Sequence, residues 1–393
     1  MRILQVVPTY FPATRYGGPI VAVHGLCSAL AARGHDVQVL TTNVDGKGES
    51  GVPLGVPVLR DGVSVRYFPV PFARRTYWSP GMAAAARAMI GQTDIVHLHS
   101  IFLWPTWMAA RTARHAGVPY VCSPRGMLEK SLIRRKSRWA KALWIALVER
   151  RNLESAAAVH ATSEREAAEL VRFGFDLPRI AVIPNGVDLR VPESSGSAAP
   201  DWLACIPPGA PLVTFLGRIN WKKGLDRLVP AMAALPSAYL VVAGPDDEGE
   251  RKALEALAAR IGVRSRVIFP GPVHGWDKQA LLRRSVALVL PSLSENFGNV
   301  VLEAMAASIP VVIAPQVGLA KLVRDAGAGI VVDGSVDSIA AALQSILGSP
   351  SLGTQMGARG RAAAESAFDW GTVAAAIERL YETILPRDHA SSG

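Results

Sequence analysis

The chain has 393 residues, half of them hydrophobic and 19% charged, which excludes a disordered polyelectrolyte and exceeds what one hydrophobic core usually organises. Its net charge of +10 is unevenly placed: residues 1–190 hold 24 Lys and Arg against 13 Asp and Glu, the remainder 18 against 19. A basic first half suits either a polyanionic or membrane-surface partner or a merely soluble basic face, and three scattered cysteines, Cys27, Cys122 and Cys205, argue against a metal or disulfide framework and for a reducing cytoplasm.

The opening "MRILQVVPTYFP" has one cation and a short apolar run before Pro8, too little for a signal peptide, and reads as a first strand. After it, "VQVLTT", "VSVRYFPV", "DIVHLH", "PYVCS" and "AAVHATS" alternate with Ala/Leu/Arg-rich helical patterns. Continuous apolar strands separated by helices predict parallel sheets covered on both faces, the doubly wound α/β class. The Ser/Gly/Pro-rich "VPESSGSAAP" after "IPNGVDL" has the composition of a linker, and the rhythm then restarts with "PLVTFLG", "YLVVAG", "RVIFPG", "VALVLPS", "PVVIA" and "GIVVD". Two Rossmann-like domains are expected, 1–187 and 188–369, with the last helical pattern, 370–387, packing on either. The longest uncharged apolar stretch, Ala304–Ala320, is broken by Pro310 and Pro315, so no transmembrane helix is expected.

Ligands of open parallel sheets bind beyond the carboxyl ends of strands, where loops enter helices. After "PLVTFLG" come Arg218 and Lys223, a forked and a compact cation suited to a diphosphate. After "VALVLPSLS" come Glu295, the turn "NFGN" and a helix with Glu303 in its first turns. The amides of Gly298, Asn299 and Val300 at that helix start favour an anion. The two carboxylates then suit hydroxyl groups on either side of the phosphates, a sugar at Glu295 and a ribose at Glu303. "DIVHLHS" places His97 and His99 on one strand face; His99, nearer the carboxyl end, is the ligand candidate and His97 the core histidine. A titrating His99 predicts pH-dependent activity. "GPDDEGE" reads as an exposed loop and not as a metal-binding pair.

"GRINWKKG" followed by "PSLSENFGNVVLEAMAASIPVV" resembles the donor site of retaining family-4 glycosyltransferases of the GT-B fold, and the resemblance spans nearly the whole chain. It implies two Rossmann-like domains facing across a cleft. It matches Glu295 and Glu303 to the family's two glutamates and Arg218 and Lys223 to its cations. It matches Gly17 and Gly18, in "YFPATRYGGPIV", to its Gly-Gly loop near the donor, and His99 to its cleft histidine. Asn296 stands where many relatives have glycine and is positioned to touch the donor sugar; Phe297, Gly298, Asn299 and Val300 complete the implied donor contacts. The resemblance implies retention, a nucleotide-sugar donor (UDP or GDP) and neither metal nor other cofactor.

"SPRGMLEKSLIRRKSRWAKALWIALVERR" resembles a subset associated with bacterial surface polysaccharides, including exopolysaccharides, implying a saccharide or lipid-linked acceptor, with Arg125 and Glu129 as acceptor candidates. From Arg125 to Arg151 it carries nine basic and two acidic residues, with Trp139, Leu143, Trp144 and Leu147 at helical spacing. The 130–151 segment is either a basic amphipathic helix resting on anionic lipid at the inner face of the membrane or the buried stripe of a crossover helix. The rival functions are a nucleotide-sugar epimerase or phosphorylase and a non-catalytic sugar-nucleotide-binding partner. A dehydrogenase is disfavoured because "PTYFPATRYGG" is not GxGxxG, and nothing in the sequence points to nucleic acid.

Overall fold

In a computed structural model, residues 1–385 are described apart from 14, 16, 130–141, 190–199 and 247. The chain divides into two compact units, Met1–Gly186 with the C-terminal segment from Trp370, and Val187–Asp369.

The first unit is built on β1 (Arg2–Thr9), β2 (Asp36–Thr42), a small hairpin of β3 (Val44–Asp45) and β4 (Gly48–Glu49), β5 (Pro57–Arg60), β6 (Val63–Phe68), β7 (Ile95–His99), β8 (Tyr120–Ser123), β9 (Ala158–Ala161) and β10 (Ile180–Val182). Its main sheet runs β10-β9-β8-β7-β1-β2-β6-β5, parallel except for the antiparallel edge strand β5. The central strands read as continuous apolar runs because helices cover both faces. On one face pack Pro80–Ile90 and Trp104–Ala116; on the other, Gly18–Ala32 and the C-terminal helix Trp370–Ile384. That last helix buries Val373, Ala374, Ile377, Leu380 and Tyr381 on the sheet.

The second unit holds β11 (Leu212–Leu216), β12 (Tyr239–Ala243), β13 (Val267–Gly271), β14 (Ala287–Leu290), β15 (Val311–Ile313) and β16 (Gly329–Val331) in the all-parallel order β13-β12-β11-β14-β15-β16. A single apolar cluster fills it from Val187 to Phe368. All six strands are the six apolar runs of the second half of the sequence. Among the described residues no helix is long and apolar enough to cross a membrane.

Candidate active site

In the second sheet β11 lies between β12 and β14, so connections leave it in opposite directions and open a crevice at its carboxyl end. Beyond β11, Asn220 Oδ1 accepts the Lys222 amide at 3.1 Å and starts the turn Trp221–Lys223, which ends at Gly224 with φ +69°. Beyond β14, the Leu293 amide donates to the Lys222 carbonyl at 2.7 Å and ties the two loops together. The tie brings Lys223 Nζ against Glu295 Oε2 in an ion pair whose side chains are 15% and 23% exposed. Glu295 is held by its own backbone, which bonds to Gln316 and Gly318 at 3.2 and 3.0 Å.

The helix Asn299–Ala306 starts at Gly298, whose φ of +98° is left-handed. A Cβ there would stand 2.9 Å from Val317 Cγ1, so both conformation and space require glycine. The first bond of the helix runs from the Val301 amide to the Gly298 carbonyl, leaving the amides of Gly298, Asn299 and Val300 without an acceptor inside it. Glu303, one turn further, is paired at 3.2 Å with Lys278 of helix Gly275–Arg284. Each carboxylate therefore has its own lysine, which lets two acids share one strand end. The motif reading missed Lys278: its segment carries no signal beyond an ordinary helical cation.

Arg218 is exposed at the end of β11 and makes no hydrogen bond or ion pair among the described residues. Asn296 and Val300 are half-buried. Phe297, expected among the donor contacts, is a core residue at 4% exposure. Its ring packs inward because the turn reverses the chain there, so only its backbone remains for a ligand. Of the adjacent aspartates, exposed Asp246 caps the helix Glu250–Arg260 through the Glu250 and Arg251 amides at 2.9 and 3.3 Å.

In the first unit Gly17, with φ +76°, precedes the helix that Gly18 begins. A Cβ on Gly17 would meet nothing within 4 Å, so its conformation and not close packing calls for glycine. His99 ends β7 at 1% exposure. Its Nε2 lies 2.6 Å from Gln5 Oε1, and its Nδ1 lies 3.1 Å from Arg125 Nη2. Both nitrogens are thus engaged, and the expected ligand-binding imidazole is corrected to an interior group behind Arg125. Burial, with Arg125 and two neighbouring histidines adding to it, lowers the His99 pKa well below the ordinary value, so a His99 titrating near neutrality is also corrected.

Arg125, in the loop after β8, has φ +55° and a half-buried guanidinium. Its Nη1 donates to Asn185 Oδ1 at 2.6 Å. Burial lowers its pKa to about 10, still protonated at neutral pH, and no carboxylate lies within 4.0 Å of it among the described residues. Glu129 is engaged by Arg165 at 3.0 Å. The Asn185-Gly186 pair, read as an ordinary turn, supplies a partner to Arg125. Of the basic amphipathic segment, 130–141, with Trp139, lies outside the described residues. In the remainder Ile145 faces the core, Trp144 donates to Glu149 at 2.8 Å, and Leu143 and Leu147 are 61% and 67% exposed.

Family models match both units. One described as "Glycosyl transferase 4-like domain" covers residues 17–186, and one described as "Glycosyl transferases group 1" covers 205–363. A D-inositol 3-phosphate glycosyltransferase of Streptomyces scabiei is 32% identical over 99% of this chain and 91% of its own length. The chain is a GT-B glycosyltransferase of family 4. Solved structures agree on the family-4 fold: sucrose-phosphate synthase from Thermosynechococcus elongatus superposes with a TM-score of 0.79 at 23% identity, covering 98% of this chain and 99% of that one. HepE of Anabaena, solved with UDP and glucose, gives 0.76 at 20% identity over 98% and 100%. Transfer of a sugar from a nucleotide-sugar donor follows from family membership.

Proposed function

We propose that this glycosyltransferase moves a hexosyl group, with retention and without a metal ion, from a UDP- or GDP-sugar to a saccharide or lipid-linked acceptor in surface polysaccharide assembly. The observation that carries the donor side is the Lys223–Glu295 pair at the switch point of the second sheet, beside the start of the helix Asn299–Ala306. In this reading Lys223, Arg218 and the amides of Gly298, Asn299 and Val300 hold the diphosphate and stabilise charge growing on the leaving nucleoside diphosphate. Glu295 and Asn296 take sugar hydroxyls. Glu303 takes the ribose, exchanging its contact with Lys278 for hydroxyl donors.

On the acceptor side Arg125 is a cation with no carboxylate within 4.0 Å among the described residues, suited to an anionic group on the acceptor. The name of the Streptomyces scabiei relative, which specifies a phosphorylated polyol, supports an acceptor bearing phosphate. Exposed Leu143 and Leu147 beside Arg150 and Arg151 support contact with an anionic lipid surface carrying a lipid-linked acceptor.

The test is thermal stabilisation across UDP-, GDP- and ADP-sugars without added metal, repeated with Glu303→Ala. Selective stabilisation by one donor that Glu303→Ala abolishes is the expected result. Folded protein that no donor stabilises would favour a non-catalytic partner.

A further inference from the structure

The interior of the first unit holds a hydrogen-bond chain whose protons can be assigned from both ends. At one end His160 Nε2 lies 2.8 Å from the Ile183 carbonyl oxygen, which only accepts, so this nitrogen carries the proton. Burial lowers the His160 pKa to about 3, so the ring is neutral and its Nδ1 accepts. His97 Nε2, 3.3 Å away, must then donate, which leaves His97 Nδ1 to accept from the Tyr381 hydroxyl at 2.7 Å. At the other end Arg125 can only donate, so His99 Nδ1 accepts and His99 Nε2–H donates to Gln5 Oε1. The Gln5 amide then turns its Nε2 to the Tyr381 oxygen at 3.4 Å. The two assignments meet at Tyr381 without conflict: the hydroxyl donates to His97 and accepts from Gln5.

This polar chain is buried: Gln5, His97, His99, His160 and Tyr381 are all 2% exposed or less. Apolar side chains of similar shape would serve stability about as well. What the chain adds is direction. It ends on Arg125, which spends three of its five N–H groups on His99 and Asn185 and, with φ +55°, sits in a backbone conformation that a side chain seldom adopts.

We propose that Tyr381, on the C-terminal helix, is a positioning residue for Arg125: through Gln5 it fixes His99 as a proton acceptor, so that the guanidinium is held with its remaining N–H groups available to the acceptor's anionic group. The functional half of this rests on the assignment of Arg125 to the acceptor. Without the Tyr381 hydroxyl the Gln5 amide is free to rotate and offer its Nε2 to His99. The Nδ1–H tautomer, which loses both hydrogen bonds from Arg125 and points a proton at a cation, is then no longer opposed from the Gln5 side.

The test is the long-range proton–nitrogen spectrum of protein with ring-labelled histidine, which distinguishes protonated from acceptor nitrogens. His99 Nδ1 is expected in the acceptor position in the wild type and shifted toward the protonated position in Tyr381→Phe. Binding of inositol 3-phosphate, measured beside UDP, is expected to weaken about ten- to a hundredfold in Tyr381→Phe and in Arg125→Gln, the worth of one hydrogen bond to a charged group, with UDP affinity unchanged.

Gln5→Glu gives a second reading should Tyr381→Phe not fold. A carboxylate behind Nε2 favours a second proton on His99 as pH falls, which the wild-type ring, its pKa lowered by burial, resists. The groups facing His99 and its partners are Arg125, His97, His160, Tyr381, Cys27 and Glu166; the substitution replaces none of them and removes only the Gln5 donor to the Tyr381 hydroxyl. An unchanged His99 tautomer in Tyr381→Phe, or a His99 that does not titrate in Gln5→Glu, overturns the proposal. A changed tautomer with inositol 3-phosphate binding identical in the wild type and both variants, absence included, overturns instead the assignment of Arg125 to the acceptor.

Discussion

The indole of Trp370 fills the space where a Cβ on Gly186 would stand, and its other side does the same to Gly25. Trp370 opens the C-terminal helix, and both glycines belong to the same unit. Gly186→Ala must therefore push the ring aside, an overpacking cost of about 1–3 kcal/mol. Tryptophan-monitored urea unfolding should show the lower midpoint. In a Trp370→Ala background the same substitution should cost almost nothing, because the clash is gone; an equal cost in both backgrounds would show that the ring is not the cause.

Lys223 and Glu295, 72 residues apart, are joined only because β11 and β14 are neighbours. Lys223→Ala removes the charge that the proposed function assigns to the diphosphate, and it takes from Glu295 its lysine partner. Transfer is expected to fall by about 10²–10³, the scale of one preorganised transition-state donor. Glu295→Gln should lose a comparable factor, and the double variant little more, since the two act as a unit. Initial rates of donor consumption, with circular dichroism to confirm folding, decide it; losses that multiply would mean independent roles.

The proposed donor site was legible in the sequence because its parts are contiguous. Arg218 to Lys223 and Glu295 to Glu303 each follow one strand, and strand ends are where α/β sheets bind ligands. On the proposed acceptor side Arg125 was legible through the resemblance, but the residues that hold it were not. Gln5, His97, His160, Asn185 and Tyr381 are individually ordinary, and the bond from Gln5 to Tyr381 spans 376 residues. Phe297 was misjudged because a motif gives chain position and not side-chain direction. Of the strands, the central apolar runs were read directly. The edge strand β5 and the three-residue β10 were missed because a short, half-exposed segment has no pattern to detect.

Leu143 and Leu147 are large apolar groups left to solvent beside Arg150 and Arg151. If they rest on lipid, Leu143→Asp and Leu147→Asp should each lower partition into phosphatidylglycerol-containing vesicles by about tenfold or more, from the lost burial of one leucine. Neither substitution should alter UDP binding. Co-sedimentation equal to the wild type in both variants would remove this face as a membrane contact.

The stability of the first unit should fall as pH drops from 7 toward 5. Burial first, and neighbouring positive charge second, lowers the pKa values of His97, His99 and His160, the last to about 3. In that window the unfolded chain takes up protons that the folded one refuses, so the histidine contribution is complete above about 6.5 and is lost as pH falls below it. Each histidine is worth up to about 1.4 kcal/mol per pH unit. Glu149 works the other way: burial raises its pKa, so its protonation favours the folded state as pH falls and opposes part of the histidine loss. The lowered carboxyls Asp94, Glu154 and Glu378 of this unit act only nearer pH 4 and below. Urea midpoints should therefore decline from pH 7 through 6 to 5, with a slope of at most about three protons, and His160→Gln should remove about one of them. Midpoints unchanged over that range would mean that the histidines are charged in the folded unit, contrary to the tautomers that Ile183 and Arg125 impose.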